Sequence, residues 1–411
     1  MNILLVDAII KNESIITKQK EMLNLLTTLY GEYNLTYTYQ KLETPFTTTY
    51  LGKGKVYEIK DIIEKENVDI LVMNFDLTPI QYLTLKNNIS IPIIDRTGII
   101  LEIFMKNAKS KEARLQVEIA NLQYLKARLI NKEANYSQVT SGGGLKNRGT
   151  GEKQIDLDRY KFQRILKNKQ KELEQLTIQR KSNRNMRFDI PLISIVGYTN
   201  AGKSTLMNKM LDKAKVQQNK RVLEENRLFA TLETSTRFIS VFNYPDILLT
   251  DTVGFINDLP TTLIEAFKST LEEISCSDLI IHVVDISSDN YKEQIETTNN
   301  ILKELNADKI PMIYLYNKFD KCTSYPFIPK QNELFVSLNN TEDIDSILDL
   351  IFNTIKENWS LLKFKMPISE NVGKIKKYGC IKSIQFDDDF YYIEGYFPSY
   401  SIKYIRDFLD N

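Results

Sequence analysis

The run Leu192-Ile193-Ser194-Ile195-Val196 ends at Gly197 and leads through Tyr198, Thr199, Asn200, Ala201 and Gly202 into Lys203-Ser204-Thr205, after which Leu206 and Met207 open a helical pattern. An apolar strand, a glycine loop of the form GxxxxGK[ST] and a helix narrow the architecture sharply. The strand belongs to a mostly parallel sheet with helices on both faces, and the loop wraps a helix N-terminus. Backbone N–H groups converge there with the helix dipole behind them, which makes a cradle for phosphate oxygens. Lys203 adds a mobile cation for β and γ phosphates, and Ser204 a hydroxyl ligand for magnesium.

The loop alone leaves the base and the chemistry open, and two later segments restrict them. Ile247-Leu248-Leu249-Thr250 is an apolar strand closed by Asp251-Thr252-Val253-Gly254. In this DxxG pattern Asp251 can hold magnesium through water. Gly254 can offer its N–H to a γ-phosphate where a side chain would obstruct approach. Asn317-Lys318-Phe319-Asp320 then follows the strand Ile313-Tyr314-Leu315-Tyr316. A carboxylate at Asp320 can accept two hydrogen bonds from the N1–H and exocyclic amine of guanine, a donor pair that adenine lacks. Ser337 and Leu338, after a strand-like run, are placed to give backbone contacts to the base. Between the loop and Asp251, the segment Asn226 to Arg237 stands where a first switch belongs, and spacing does not choose among its hydroxyls.

Around this centre the chain divides into four expected segments. Residues 1–108 alternate strand signals (Ile3 to Val6, Ile70 to Met73, Ile91 to Ile94) with a helix around Val56, Ile59, Ile62 and Ile63, as a small parallel α/β domain does. Residues 109–187 carry two apolar stripes. One is Leu115, Ile119, Leu122, Leu125 and Leu129; the other, on a helix from about 153, is Ile155, Phe162, Ile165, Leu166, Leu173 and Leu176. They suit an antiparallel helical hairpin. Its connection, 141–153, holds five of the chain's 15 glycines with Lys146, Arg148 and Lys153, a composition suited to an anionic surface. Residues 188–360 hold every nucleotide motif. Residues 361–411 form a small α+β domain, with a hairpin or small sheet between Tyr378 and Tyr396 and a helix over Ile402 to Leu409.

Composition excludes several classes. The 54 basic and 53 acidic side chains nearly cancel, so the molecule is no polycation that clings to nucleic acid by bulk charge, and DNA is not an expected partner. No uncharged apolar run is long enough to span a bilayer and no leader precedes Ile3, so a cytoplasmic protein without a membrane anchor is expected. Cys276, Cys322 and Cys380 lack the spacing of a zinc knuckle. His282, inside Leu279 to Asp285, reads as a buried structural histidine.

With these residues in view, the chain resembles the HflX family of translational GTPases in the Obg-HflX group. GYTNAGKST, LFATL, DTVGF and NKFD occur in that family's order, and 93–104, 115–129 and 148–152 also look like HflX segments. The resemblance implies GTP/GDP and Mg2+ as ligands, with Thr231 as the switch threonine on the metal and Phe229, Ala230, Thr231, Leu232 and Glu233 lining the nucleotide. It implies a protein that binds the large ribosomal subunit and its RNA, is stimulated there, and splits idle or stalled ribosomes; the alternative is a ribosome-assembly timer, and a monomer is expected.

Three departures from the family pattern stand out. The link from Asn208 to Leu228 is longer, Glu233-Thr234-Ser235 replaces DPT, and Leu51 to Lys55 carries an added cation. Phe255 also stands where many GTPases place the glutamine that orients water. Catalysis is therefore expected from Lys203, Thr231, Asp251 and Gly254, with no side chain as general base and a partner needed to order the switches.

Overall fold

The computed structural model describes residues 1–10, 15–130, 148–184, 190–214, 235–241, 244–252, 254–255, 271, 274–322, 326–340, 343–376 and 378–409. They fall into two compact units, one up to Thr177 and the other from Ile178 on.

The first unit contains four parallel strands, β1 (Asn2–Ile10), β2 (Asn34–Leu42), β3 (Ile70–Met73) and β4 (Ile93–Asp95), in the order β2-β1-β3-β4. Helices Ile15–Tyr30, Lys53–Lys65 and Pro79–Asn88 alternate with them. Ile3 to Val6 are buried in succession, as an inner parallel strand covered on both faces requires. Val56, Ile59 and Ile63 pack against Leu4, Val6, Leu71 and Met73 to form the core. Helix 79–88 starts where its chemistry dictates: Thr78 and Gln81 form a reciprocal capping box and Pro79 occupies the first turn.

Two further helices, Arg96–Asn107 and Lys111–Ile130, complete this region before the long helix Arg148–Arg184. Lys111 pairs with Glu172 at 2.6 Å and Lys169 with Glu118 at 2.5 Å, so residue numbers rise on one helix as they fall on the other and the pair is antiparallel. The long helix begins at Arg148, ahead of the expected start near 153, and runs through Gly149 and Gly151. Each helical glycine costs only about 1 kcal/mol, which a helix of 37 residues absorbs. Residues 141–147 of the glycine-rich connection lie outside the described residues.

The two stripes pack less completely than their periodicity suggests. Leu115 and Ile119 are buried, but Leu125 is 40% and Ile165 45% exposed.

The second unit is built on a six-stranded sheet, β10-β9-β8-β5-β7-β6, comprising β5 (Leu192–Val196), β6 (Ser235–Ile239), β7 (Ile247–Asp251), β8 (Leu279–Asp285), β9 (Met312–Asn317) and β10 (Glu333–Phe335). All pairings are parallel except β6 with β7. Ser235, Thr236 and Arg237, which close the segment expected to form a switch, belong instead to edge strand β6, where all three are half-buried.

Helices lie on both faces of this sheet. Ile344, Ile347, Leu348, Ile351, Phe352 and Ile355 give helix Asp343–Ile355 one buried face against Ile193, Ile281 and Leu315, together with helix Lys203–Lys213. Helix Tyr291–Glu304 covers the opposite face, with Tyr291 and Ile295 against Val284 and Tyr316. A three-stranded antiparallel sheet follows: β11 (Ser360–Pro367), β12 (Cys380–Phe386) and β13 (Phe390–Phe397), in the order β11-β13-β12. Its core of Phe364, Met366, Ile393 and Phe397 is closed by Ile405 of helix Ile402–Leu409.

Candidate active site

β5, β7, β8 and β9 end at one edge of the six-stranded sheet, where ligands of open α/β sheets bind. β5 delivers the loop that starts at Gly197, with φ of 144°. A Cβ there would stand 2.2 Å from the carbonyl oxygen of Val283, so only glycine can turn the chain away from β8 at this point. Asn200 (φ 63°) and Gly202 (φ 109°) also take left-handed conformations, and Lys203 begins the helix. Ala201, buried, donates its N–H to Tyr198 O at 3.3 Å and tightens the loop. Thr205 sits in the first helical turn.

Lys203 lies across this loop, its Nζ donating to Gly197 O at 3.1 Å and Tyr198 O at 2.8 Å. Burial pulls its ammonium down to about 8, against an opposing pull from the charge of Asp251. At the end of β7, Asp251 is fully buried and its Oδ2 accepts from Ser204 Oγ at 2.8 Å. Thr252 Oγ1 donates to Ile195 O at 2.7 Å, tying the segment to β5. A Cβ on Gly254 would meet Lys203 Nζ at 2.9 Å and Thr199 Cγ2 at 2.7 Å, so the glycine leaves the Lys203 amine room to stand beside its backbone.

Phe255 is held by its main chain. Its N–H donates to Gly197 O at 3.2 Å, and its carbonyl accepts from Thr199 N at 2.8 Å. The ring is buried, so at the glutamine position this chain presents an apolar side chain to its own core.

The third motif is joined to the loop as well as placed near it. Asn317 Nδ2 donates to Ala201 O at 2.8 Å, and Asn317 Oδ1 accepts from Leu338 N at 3.2 Å. Lys318, at φ 62°, reaches Asn200 O at 2.8 Å and pairs with Asp285 Oδ2 at 2.6 Å. Phe319 opens a short 3-10 turn that carries Asp320, whose Oδ1 accepts from Ser337 Oγ at 2.7 Å. Ser337 N in turn donates to Asp343 Oδ2 at 2.6 Å.

The described residues expected at the site therefore gather at this end of the sheet: Gly197 to Thr205 as the loop and helix start, Asp251 and Thr252 bonded beside it with Gly254 against Lys203, and Asn317 and Lys318 bonded to the loop with Phe319, Asp320, Ser337 and Leu338 beyond. Phe229, Ala230, Thr231, Leu232, Glu233 and Val253 lie outside the described residues. Asp285 and Asp343 entered no expectation. Asp285 ends a buried strand as Asp251 does, and that position was the available signal; nothing local marks Asp343.

Comparison with known proteins agrees with this geometry. Family models match three successive stretches: a GTP-binding GTPase N-terminal region over 17–105, a GTP-binding GTPase middle region over 107–187 and a 50S ribosome-binding GTPase over 192–318. The GTPase HflX of Alkalihalophilus pseudofirmus is 38% identical over 386 residues, covering 92% of this chain and 88% of that protein. The Caldanaerobacter subterraneus protein of the same name is 36% identical and covers 82% and 78%; that of Escherichia coli is 37% identical and covers 71% and 67%. Similarity sustained through the N-terminal, middle and nucleotide-binding regions alike places the chain in the HflX family of GTPases.

Proposed function

We propose that the chain is a Mg2+-dependent GTPase that binds the large ribosomal subunit, is stimulated by it, and separates idle or stalled ribosomes into subunits. The observation that carries the nucleotide part is the bonded chain from Lys203 through the loop to Asn317 and Leu338, which joins the phosphate end of the site to its base end. The ribosomal part is supported by the match to the 50S ribosome-binding GTPase family.

In this reading Lys203 neutralises charge developing on the β and γ phosphates, Gly254 presents its N–H to the γ-phosphate, and Asn317 with Asp320 recognises guanine. The remaining loop residues cradle the phosphates, Thr252 ties the Asp251 segment to β5, Val253 lines the nucleotide, and Lys318, Phe319, Ser337 and Leu338 wall the base. The donor set fits a hard cation, since the hydroxyl of Ser204 and the carboxylate of Asp251 already share one corner at 2.8 Å. Ser204 and Thr231 would hold Mg2+ directly and Asp251 through water. When bound, the ion supplies charge stabilisation to the phosphate oxygens. Phe255 leaves the intrinsic reaction slow, which suits a switch that waits for its partner.

The protein acts as a cytoplasmic monomer, and residues 1–108 with the hairpin of 109–187 reach ribosomal RNA. No described helix is long and apolar enough to cross a membrane. Sedimentation through sucrose tests the proposal: with GTP and this protein, intact ribosomes should fall into subunits. Ribosomes that stay intact while hydrolysis is still stimulated would favour an assembly timer.

A further inference from the structure

The Thr199 hydroxyl differs from three of its neighbours. Ser204 Oγ is bonded to Asp251, Thr252 Oγ1 to Ile195 O, and Ser194 Oγ to Ser277 Oγ at 2.6 Å. Thr199 is 7% exposed, and its Oγ1, fully buried, finds no hydrogen-bond partner among the described residues. A buried hydroxyl without a partner has lost its water and gained nothing in return, so such a group in a folded protein calls for an explanation.

Its surroundings supply one. The Thr199 N–H donates to Phe255 O at 2.8 Å, which fixes the residue against the position where a water-orienting side chain is absent. Its methyl lies against Gly254: an atom built on that glycine would meet Thr199 Cγ2 at 2.7 Å and Lys203 Nζ at 2.9 Å. Oγ1 shares a carbon with that methyl. Thr199, Gly254 and the Lys203 amine therefore meet at one corner of the loop.

We infer that Thr199 is a catalytic residue of GTP hydrolysis, whose hydroxyl accepts a hydrogen bond from the attacking water and donates its own to a γ-phosphate oxygen. The inference rests on the reading of this corner as the γ-phosphate end of the site. In the reaction the water oxygen bonds to the γ-phosphorus while the bond from that phosphorus to the β–γ bridging oxygen breaks, its electron pair leaving with GDP. The water proton passes to a γ-phosphate oxygen, giving inorganic phosphate. Thr199 ends the cycle with the proton it began with, so it positions the nucleophile and is no general base.

The test compares full-length wild type with Thr199→Val, which keeps the shape and removes the hydroxyl, and Thr199→Ser, which keeps the hydroxyl and removes the methyl. Single-turnover GTP hydrolysis is measured with and without purified large ribosomal subunits, beside binding of GDP and of a non-hydrolysable GTP analogue. Thr199→Val should lose on the order of a hundredfold in hydrolysis rate, the scale for removing one oriented group at a reacting centre. Its affinity for GDP should stay within about twofold, its affinity for the GTP analogue should fall by far less than the rate does, and Thr199→Ser should hydrolyse within about threefold of wild type, the pattern of an interaction that strengthens in the transition state. Wild-type turnover by Thr199→Val, an equal loss in Thr199→Ser, or a loss of GDP affinity as large as the loss of rate would each overturn the assignment. If large subunits failed to stimulate wild type, the ribosomal reading would fall while the comparison of intrinsic rates still decided the role of Thr199.

Discussion

Asn317 and Ala201, 116 residues apart in sequence, are joined by a hydrogen bond of 2.8 Å from the side-chain amide of the first to the carbonyl of the second. The same side chain accepts from Leu338 N, so one buried asparagine fastens the phosphate loop to the base-side loop. Asn317→Ala would leave a buried carbonyl and a buried N–H without partners. It should destabilise the nucleotide-free protein by about 2 to 4 kcal/mol, two unmet groups at the usual cost, read as a lower urea midpoint with unchanged slope. An unchanged midpoint would mean that Asn317 serves the base alone.

Lys203 makes nucleotide binding depend on pH. Burial has lowered its pKa to about 8, so the nucleotide-free protein begins to lose the charge just above neutrality, while phosphate oxygens favour the ammonium and raise the pKa again. Binding must therefore take up a proton as pH passes 8, and GTP affinity should weaken between pH 8 and 9. Titration calorimetry in buffers of different ionisation enthalpy should detect that uptake at pH 8 and little of it at pH 7. Equal affinity across the range would show that Lys203 stays charged without a ligand.

The site was legible because its motifs are local: the glycine loop, Asp251 to Gly254 and Asn317 to Asp320 are each a few consecutive residues that follow an apolar strand. What joins them was not. The bonds from Asn317 to Ala201, from Lys318 to Asp285 and from Phe255 to Gly197 and Thr199 are set by strand order, and no spacing reports it. β2 escaped notice because an edge strand, Asn-Leu-Thr-Tyr-Thr-Tyr-Gln-Lys-Leu, carries no apolar run. Helix Ile15–Tyr30 interleaves polar residues with its buried Met22, Leu25 and Leu26, which blurs its stripe. The hairpin periodicity was real, yet it could not reveal that Leu125 and Ile165 remain exposed.

His282 predicts an acid-sensitive fold. It is buried beside Val196, its ring centroid 5.2 Å from that of Tyr314, and burial together with the nearby charge of Lys203 holds its pKa down at about 3, against 6.5 in an unfolded chain. Between those values the unfolded state binds the extra proton. The stability gained by keeping this histidine neutral is thus complete above pH 6.5 and is lost as pH falls toward 3, at no more than about 1.4 kcal/mol per pH unit. His282→Leu should flatten the dependence of melting temperature on pH in that window. Parallel curves for the two proteins would contradict it.

Arg128 fastens helix 111–130 to the four-stranded domain. Its guanidinium lies 4.1 Å from the ring centroid of Tyr82 and 3.9 Å from that of Tyr124, and it pairs with Asp95, which is 1% exposed. Asp95 also accepts from Tyr124 Oη at 2.6 Å and Gly98 N at 2.9 Å, so losing the cation leaves the carboxylate bonded but uncompensated. Arg128→Met should cost about 3 kcal/mol, the low end for breaking a buried pair. Arg128→Lys should recover only part of it, because an ammonium does not stack between two rings. Full recovery by lysine would mean that charge alone holds the helix.

The measurement that bears most directly on the central claim is multiple-turnover GTP hydrolysis by the full-length protein with and without purified large ribosomal subunits. A site with Phe255 in place of a water-orienting glutamine should be slow alone and rise by at least about tenfold with the subunits, a modest share of the 10³ to 10⁵ that partner proteins give other GTPases. A rate equal in their presence and absence would contradict the account.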